Sequence, residues 1–216
     1  MAAKVAAIGC RAHSGWAALV IVGGPVDAPR ILDRRRIVIA DPAIPGSKQP
    51  YHTAEKLPFK QAERLVTRCT ERSRALARQE FRAAVDHARS SGHEVAGCGI
   101  LLSSARPLPD LAATLASHPL IHTAEGELFR NVIANASREM NVPVTGVKER
   151  EVLAQASALL GKSATELQGY LQKMGRELGP PWTQDEKYAT LAAWLALSTA
   201  KITARSPRYA AHQASE

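Results

Sequence analysis

The side chains best suited to chemistry are histidines and carboxylates in three separate parts of the chain. His13 lies near the beginning, His122, Glu125 and Glu127 fall within the segment SHPLIHTAEGEL, and Asp185 lies near the end. Imidazole and carboxylate ligands together suit Zn²⁺, Mn²⁺ or Fe²⁺ better than Mg²⁺. If the fold brings these residues together, they form a site for metal-dependent hydrolysis.

This hypothesis gives each residue a role and makes a divalent metal the cofactor. The expected catalytic groups are His13, Glu125 and Asp185. The expected metal ligands are Asp185, Glu125, Glu127 and His122. Nothing in the spacing of these residues requires them to converge, so the hypothesis depends on the fold.

The segment SHPLIHTAEGEL also has a purely structural interpretation. Thr123 can cap a helix that runs to about Met140. Glu125 and Glu127 then fall in the first turns of that helix, where its macrodipole favours acidic side chains by about 0.3–1 kcal/mol each. In this alternative the two acids start a helix and take no part in chemistry.

A row of basic residues repeats at helical spacing between residues 60 and 82. Its members are Lys60, Arg64, Arg68, Arg72, Arg78 and Arg82. Such a row favours contact with the phosphates of DNA or RNA. The alternative is a solvated helix face that Glu63, Glu71, Glu80 and Asp86 partly neutralise.

The composition is that of one globular domain. The chain has 216 residues, 45% hydrophobic and 22% charged, with a formal net charge of +8, which favours polyanionic partners. No apolar run is long enough to span a membrane, and we expect no secretory signal. Three cysteines without CxxC spacing indicate a reducing compartment, so we expect a cytoplasmic protein. Gly-rich phosphate loops are absent.

The elements that must position these residues follow the order β-β-β-α-β-α-β-α-α. β-branched runs bounded by Gly and Pro predict strands over residues 5–8, 15–24, 30–40, 95–103 and 142–147. Helical periodicity predicts helices over residues 54–90, 110–117, 123–140, 148–161, 163–178 and 183–200. Residues 41–53 are expected to form a loop. Residues 1–200 then form one domain, and residues 201–216 a flexible basic tail.

This order resembles the ribonuclease-H-like fold, and within it the RuvC-like branch of Holliday-junction resolvases. The resolvase pattern is an apolar strand, Asp-Pro-Gly-x-Thr-Gly-Trp and a second apolar strand. Here residues 8–16 read IGCRAHSGW, followed by AALVIV, so that Ser14-Gly15-Trp16 keeps the end of the pattern. The last predicted helix opens with Asp185, as the resemblance implies. The implied fold is an α/β domain with a mixed five-stranded sheet and helices on both faces.

The departures from the resolvase pattern affect the site that it implies. The resemblance implies a two-Mg²⁺ site of four acids, but Cys10 stands at the position of the first-strand Asp. Ser103-Ser104 end the fourth strand where a Glu is expected, and Tyr188 replaces the second acid of the last helix. Only Asp185 is kept. Since thiol sulfur is a poor Mg²⁺ ligand, the resemblance implies a degenerate metal site.

Three functions therefore remain open. The first is a nucleic-acid-associated RuvC-like domain that binds or assists and is not a standard Mg²⁺ nuclease. The second is a nuclease or phosphoesterase with a metal site rebuilt from the histidines and carboxylates above. The third is a structural protein that binds an acidic protein partner or a second copy of itself.

Overall fold

A computed structural model describes residues 4–103 and 107–205. Its five strands form a single sheet. Their bounds are β1 (Lys4–His13), β2 (Trp16–Gly23), β3 (Arg30–Val38), β4 (His93–Leu102) and β5 (Val144–Lys148). The strands are as rich in β-branched and small apolar residues as the sequence indicates, and β1 is extended at both ends beyond its predicted bounds.

The sheet is mixed, with strand order β3-β2-β1-β4-β5. β1, β2 and β3 form an antiparallel meander, whereas β4 pairs in parallel with β1, and β5 in parallel with β4. The crossovers from β3 to β4 and from β4 to β5 are helical, as parallel pairing requires. The predicted α/β architecture with a mixed five-stranded sheet is confirmed.

Seven α-helices surround this sheet within the part of the chain described. They are α1 (Pro50–Ala54), α2 (Phe59–Ser90), α3 (Leu111–Leu115), α4 (His118–Glu139), α5 (Val152–Leu160), α6 (Ala164–Leu178) and α7 (Gln184–Arg205). A single 3-10 turn, Glu149–Glu151, joins β5 to α5. None of the described helices is long and apolar enough to cross a membrane.

The helices cover both faces of the sheet, and alternate residues of β1 face opposite sides. Ile8 and Cys10 pack with Phe81 of α2 and Phe129 of α4 in one core. Ala7, on the other face, packs with small residues of α7 in a second core. The two faces of β1 therefore belong to two different layers, one built from α2 and α4 and the other from α7.

The helix α7 lies unusually close to the sheet because two strand residues have no side chain. A Cβ atom added to Gly9 of β1 would lie 1.9 Å from the carbonyl oxygen of Ala189. One added to Gly99 of β4 would lie 2.1 Å from the carbonyl oxygen of Ala192. These glycines bring the first turns of α7 against the carboxyl ends of the two central strands.

Three elements differ from the sequence-based prediction. The predicted loop contains the short helix α1, the predicted long helix begins only after Pro58, and α4 begins at His118. Thr123 therefore caps nothing, and its hydroxyl donates to the carbonyl of Pro119 inside the helix. Pro119 in the first turn explains the earlier start, because proline fixes a helical φ where no amide donor is needed.

The last helix also extends further than predicted. α7 continues to Arg205, five residues into the predicted tail. Residues 206–216 lie outside the described residues, and the flexible tail stays a prediction.

Candidate functional site

The carboxyl edge of the sheet carries an arginine between two carboxylates. Arg11 of β1 forms an ion pair with Glu149, which directly follows β5, and a second with Asp185 in the first turn of α7. Two guanidinium nitrogens donate to the two oxygens of Glu149, with Nε 3.2 Å from Oε2. The Arg11 cation thus joins the ends of three elements at one point.

The energetics of this cluster favour the charged form of Arg11. Partial burial alone would lower the pKa of the guanidinium, but the hydrogen bonds and charges of Glu149 and Asp185 outweigh it and raise the pKa. The guanidinium also lies over the ring of Tyr188, 5.3 Å from its centroid. Arg11 is therefore a fixed cation in this site.

Local sequence explains why these groups meet. Arg11 follows Ala7 and Gly9 on the face of β1 that α7 covers, two residues further toward the carboxyl end. Thr183 and Glu186 start α7, since the Thr183 amide and hydroxyl donate to Glu186 and the Asp185 amide donates to the Thr183 hydroxyl. This capping fixes Asp185 in the turn that faces the end of β1.

His13 extends the cluster toward the first hairpin. Its Nε2 lies 2.9 Å from Oδ1 of Asp185, and its ring stacks on Trp16 with centroids 4.4 Å apart. The guanidinium of Arg36 in β3 forms a cation–π contact with Trp16, with its Cζ atom 3.9 Å from the ring centroid. Trp16 is consequently half-buried among polar groups, whereas Trp194 is fully buried.

A second arginine neutralises the acid nearest the end of β4. Glu127 of α4 accepts a hydrogen bond from Ser103, and Arg130 donates to both Glu127 and Ser103. The Arg130–Glu127 separation is 3.0 Å. Glu127 therefore reaches the position where the resolvase pattern has its strand-four acid, but it arrives there already paired with a cation.

The residues at this edge differ from the four acids that the resolvase pattern implies. Cys10 is fully buried on the face away from Asp185, and its hydrogen bond with Cys98, together with burial, raises the pKa of its thiol, so it offers no thiolate ligand. Asp185 and Glu149, which are suitable oxygen ligands, share the Arg11 cation instead.

A different group of side chains forms where α1 meets the start of α4. His52, His118 and His122 each offer a ring nitrogen, and these atoms lie within 4.8 Å of one another. Glu125 is buried beside them, and its Oε1 accepts hydrogen bonds from the amides of Tyr51 and His52. Burial raises the pKa of Glu125, although the hydrogen bonds from His52 and Tyr51 oppose the rise.

The predicted site residues are thus divided among three places. His13 meets Asp185, His122 and Glu125 both contact His52, and Glu127 meets Arg130. Among the residues described, His52, His118 and His122 are the one set of three metal-binding side chains within ligand distance. The contacts of the described residues therefore place the predicted ligands in separate groups, with α4 and α7 packed on opposite faces of the sheet.

Sequence reasoning missed four residues that the structure makes central. The sequence analysis assigns Arg11 and Glu149 no role in the site, yet Arg11 lies two residues before the end of β1 and Glu149 directly follows β5, and these positions at the carboxyl edge are the signal that marks both. His118 was passed over although His118 and His122 have the i, i+4 spacing of helical metal ligands. His52 carries no local signal at all.

Six of the eight Lys and Arg side chains of α2 form one exposed surface, here called the basic face. Its members are Lys60, Arg64, Arg68, Arg72, Arg78 and Arg82. Arg72 and Arg78 form ion pairs with Asp41 and Glu139. For the remaining four, the described part of the chain supplies no acidic partner within 4.0 Å. The apolar stripe of α2 is buried on the opposite side of the helix.

Solved structures with the same architecture identify the fold. RuvC of Thermus thermophilus in complex with a Holliday junction substrate aligns over 92% of this chain and 96% of its own, with a TM-score of 0.53 and 11% identity. The chain has the RuvC fold. A second Thermus thermophilus RuvC structure aligns over the same shares, with a TM-score of 0.51 and 14% identity. No model of a known protein family and no curated protein matches the chain.

The predicted resemblance is therefore confirmed at the level of the fold. RuvC-like architecture covers nearly the whole described chain, including the meander, the two parallel strands and α7. In this RuvC-like fold, the carboxyl edge carries Arg11, His13, Glu149 and Asp185.

Proposed function

We propose that this protein binds nucleic acid and does not cleave it by two-metal catalysis. The observation that carries the proposal is the ion-pair cluster of Arg11 with Asp185 and Glu149. Two-metal hydrolysis needs carboxylates that are free to hold two divalent ions about 4 Å apart. In this chain Arg11 already pairs with both carboxylates, so neither is free to hold a divalent ion, and we infer that the edge is no centre for two-metal hydrolysis.

The basic face of α2 supports phosphate binding. Four of its six cations have no ion pair within the described residues, and all six are exposed. From Lys60 to Arg82 the row extends about 33 Å along the helix axis, since each helical residue rises 1.5 Å. That length is comparable to one turn of a B-form duplex, about 34 Å.

The likeness to a resolvase solved with its junction supports a branched or duplex ligand. That complex describes the Thermus protein, and for this chain we take from it only the class of partner to test first. Arg36 and His13 each contact Trp16, and the three side chains add a cationic and aromatic group close to the carboxyl edge. Such groups suit phosphates and unpaired bases.

Fluorescence anisotropy tests the proposal directly. A labelled four-way DNA junction, a duplex of the same sequence, single-stranded DNA and a duplex RNA are titrated with protein over a range of salt concentrations. We expect binding that weakens steeply with salt. The same substrates, incubated with Mg²⁺ or Mn²⁺ and resolved on denaturing gels, should remain intact.

Each half of the proposal can fail separately. Metal-dependent cleavage that is lost in Asp185→Asn would restore the hydrolase alternative. Absence of binding to all four nucleic acids, even at low salt, would reject nucleic acid as the partner. The basic face would then remain as a surface for an acidic protein.

A further inference from the structure

The three-histidine cluster lies apart from the carboxyl-edge site and has the chemistry of a metal centre. His118 and His122 are one turn apart on α4, with their Nε2 atoms 3.1 Å from each other. His52 of α1 completes the group, and its ring centroid lies 4.6 Å from that of His122 and 5.4 Å from that of His118. Three imidazoles from two separate elements thus surround one small volume.

Glu125 determines which nitrogen of His52 is available. Oε1 of Glu125 lies 3.2 Å from Nδ1 of His52, and this oxygen also accepts from two backbone amides. Because Oε1 of Glu125 accepts hydrogen bonds, the His52 tautomer that fits this contact has its hydrogen on Nδ1, which leaves Nε2 as the ligand atom. A carboxylate that holds a histidine in this way is the usual outer partner of a metal-bound imidazole.

The hydrogen bonds of Glu125 do not fully explain why its carboxylate is buried. Its side chain is about 5% exposed, and Oε2 has no hydrogen-bond partner among the described residues. The carboxylate caps α1 from a residue 74 positions away, while the N-cap residue Gln49 makes no side-chain cap. A buried acid with one unsatisfied oxygen is costly, and a cation held by His52 would offset part of that cost.

We propose that His52, His118 and His122 bind one Zn²⁺ ion, with Glu125 as the positioning residue for His52. Tetrahedral Zn²⁺ with nitrogen ligands at 2.0–2.1 Å needs those nitrogens about 3.3 Å apart. The His118–His122 pair already has this separation, and the ligand atoms of the whole cluster need to close by no more than about 1.5 Å. The fourth position is left to water.

The placement of the ligands favours an accessible site. His118 and His122 are exposed and His52 is half-buried, so an ion can reach them from solvent. All three cysteines are buried and belong to the cores, which leaves them unable to compete for the metal in the folded protein. This inference is independent of nucleic-acid binding, because it uses neither the basic face nor the carboxyl edge.

The test measures binding of the metal alone to untagged, metal-free protein. Zn²⁺ affinity and stoichiometry are obtained by competition with a chromophoric chelator, and Co²⁺ replaces Zn²⁺ to give a ligand-field spectrum that reports tetrahedral geometry. We expect one ion per chain and a melting temperature that rises with Zn²⁺, because the ion binds only the folded state.

Four variants assign the site. His118→Ala and His122→Ala should abolish stoichiometric binding, and both change exposed residues, so the fold should be kept. Glu125→Gln should keep the tetrahedral Co²⁺ spectrum but weaken affinity by about 10–100-fold. The matched control is His87→Ala, an exposed histidine on α2 whose loss should change neither affinity nor spectrum.

Two outcomes would overturn the proposal. One is wild-type protein that binds Zn²⁺ no more tightly than the His118→Ala/His122→Ala double variant. The other is a Co²⁺ spectrum that is octahedral, or that stays the same in the double variant.

Discussion

At the scale of single residues, one arginine is shared by the two carboxylates of the carboxyl edge. Arg11 shares its guanidinium between Glu149 and Asp185, and its own side chain is only 18% exposed. Removing one member of a partly buried charge network leaves the others without a partner. A substitution of Arg11 therefore also affects Glu149 and Asp185, because both carboxylates lose their shared partner.

We predict that Arg11→Ala destabilises the protein and creates affinity for Mn²⁺. Loss of the charge-assisted hydrogen bonds should lower the free energy of unfolding by about 1–3 kcal/mol. The freed oxygens of Asp185 and Glu149 then offer hard ligands to a divalent cation. Denaturant unfolding with and without Mn²⁺ checks both effects, and Mn²⁺ should stabilise the variant but not the wild type.

The matched control for this prediction is Arg150→Ala. Arg150 lies beside Glu149 but is 67% exposed, and its one ion pair among the described residues is with Glu151, so its loss should be nearly neutral. If Mn²⁺ stabilises the wild-type protein as much as it stabilises the Arg11→Ala variant, the carboxylates of Asp185 and Glu149 are already free to bind the ion in the wild type. Arg11 would then not be what keeps divalent ions from these carboxylates.

A second residue-scale prediction concerns Asp41, which begins the segment before α1. The amide of Ala43 donates to Asp41, as does Arg72 of α2, and these contacts lower the pKa of the carboxyl. A lowered pKa stabilises the fold above the ordinary pKa of Asp, and this contribution is lost as the pH falls through the lowered value. Asp41→Asn should therefore reduce the melting temperature at neutral pH.

The measurement is the difference in melting temperature between wild type and Asp41→Asn from neutral to acidic pH. We expect the difference to be largest at neutral pH and to shrink in acid, as the wild-type carboxyl takes up its proton. A difference that stays constant with pH would show that the ionised carboxylate contributes nothing. Glu80→Gln, on the same helix as Arg72, serves as the control for general charge effects.

At the scale of elements, the contact of α7 with β1 and β4 positions the carboxyl edge. We predict that Gly9→Ala separates α7 from the sheet, since its Cβ would overlap the backbone of Ala189. Overpacking of this kind costs about 1–3 kcal/mol or more. The variant should also lose the His13–Asp185 contact, because Asp185 lies on the turn of α7 that must move.

The control for the α7 prediction is another glycine-to-alanine change. Gly169 lies in α6 with nothing within 4 Å of an added Cβ, so Gly169→Ala should stabilise the protein by about 0.5–1 kcal/mol. Thermal unfolding of the two variants compares them directly. Equal effects of the two substitutions would mean that the close approach of α7 is unimportant.

The strands and helices can largely be predicted from the sequence, whereas the long-range contacts between them cannot. Period-2 and period-3.6 patterns identify the strands, α2 and α7, because burial on one face is a local property of the chain. The site depends on contacts across long separations, such as Glu125 with the amides of α1, for which no local pattern exists. The start of α4 was predictable in principle, since Pro119 marks a first turn, and its misplacement hid the role of Glu125.

At the scale of the whole molecule, the net charge of +8 is distributed unevenly. Half of it comes from residues 60–89, where eight basic residues face four acids. An extended cationic row neutralises phosphates and releases their counterions, and each phosphate contact contributes about 0.9 to the slope of log K against log salt. The affinity for nucleic acid should therefore depend on where the basic residues lie as well as on the net charge of the protein.

We predict that a variant with Lys60, Arg64, Arg68 and Arg82 all changed to Gln binds duplex DNA weakly and with a much shallower salt slope. If all four cations contact phosphate, the slope should fall by about 3–4. Exposed side chains on the solvent side of α2 tolerate this change, so circular dichroism should be unaltered. Anisotropy at several salt concentrations gives the slope for each protein.

A second charge variant separates a specific surface from general attraction. Arg138, Arg150, Lys173 and Arg176, all exposed and outside α2, are changed to Gln, which removes the same four charges. General attraction to a basic protein predicts the same loss of affinity in both variants. Binding along the basic face predicts that this second variant keeps the wild-type slope. Equal slopes in the two variants would therefore remove α2 as the nucleic-acid-binding element and leave the fold without an assigned binding surface.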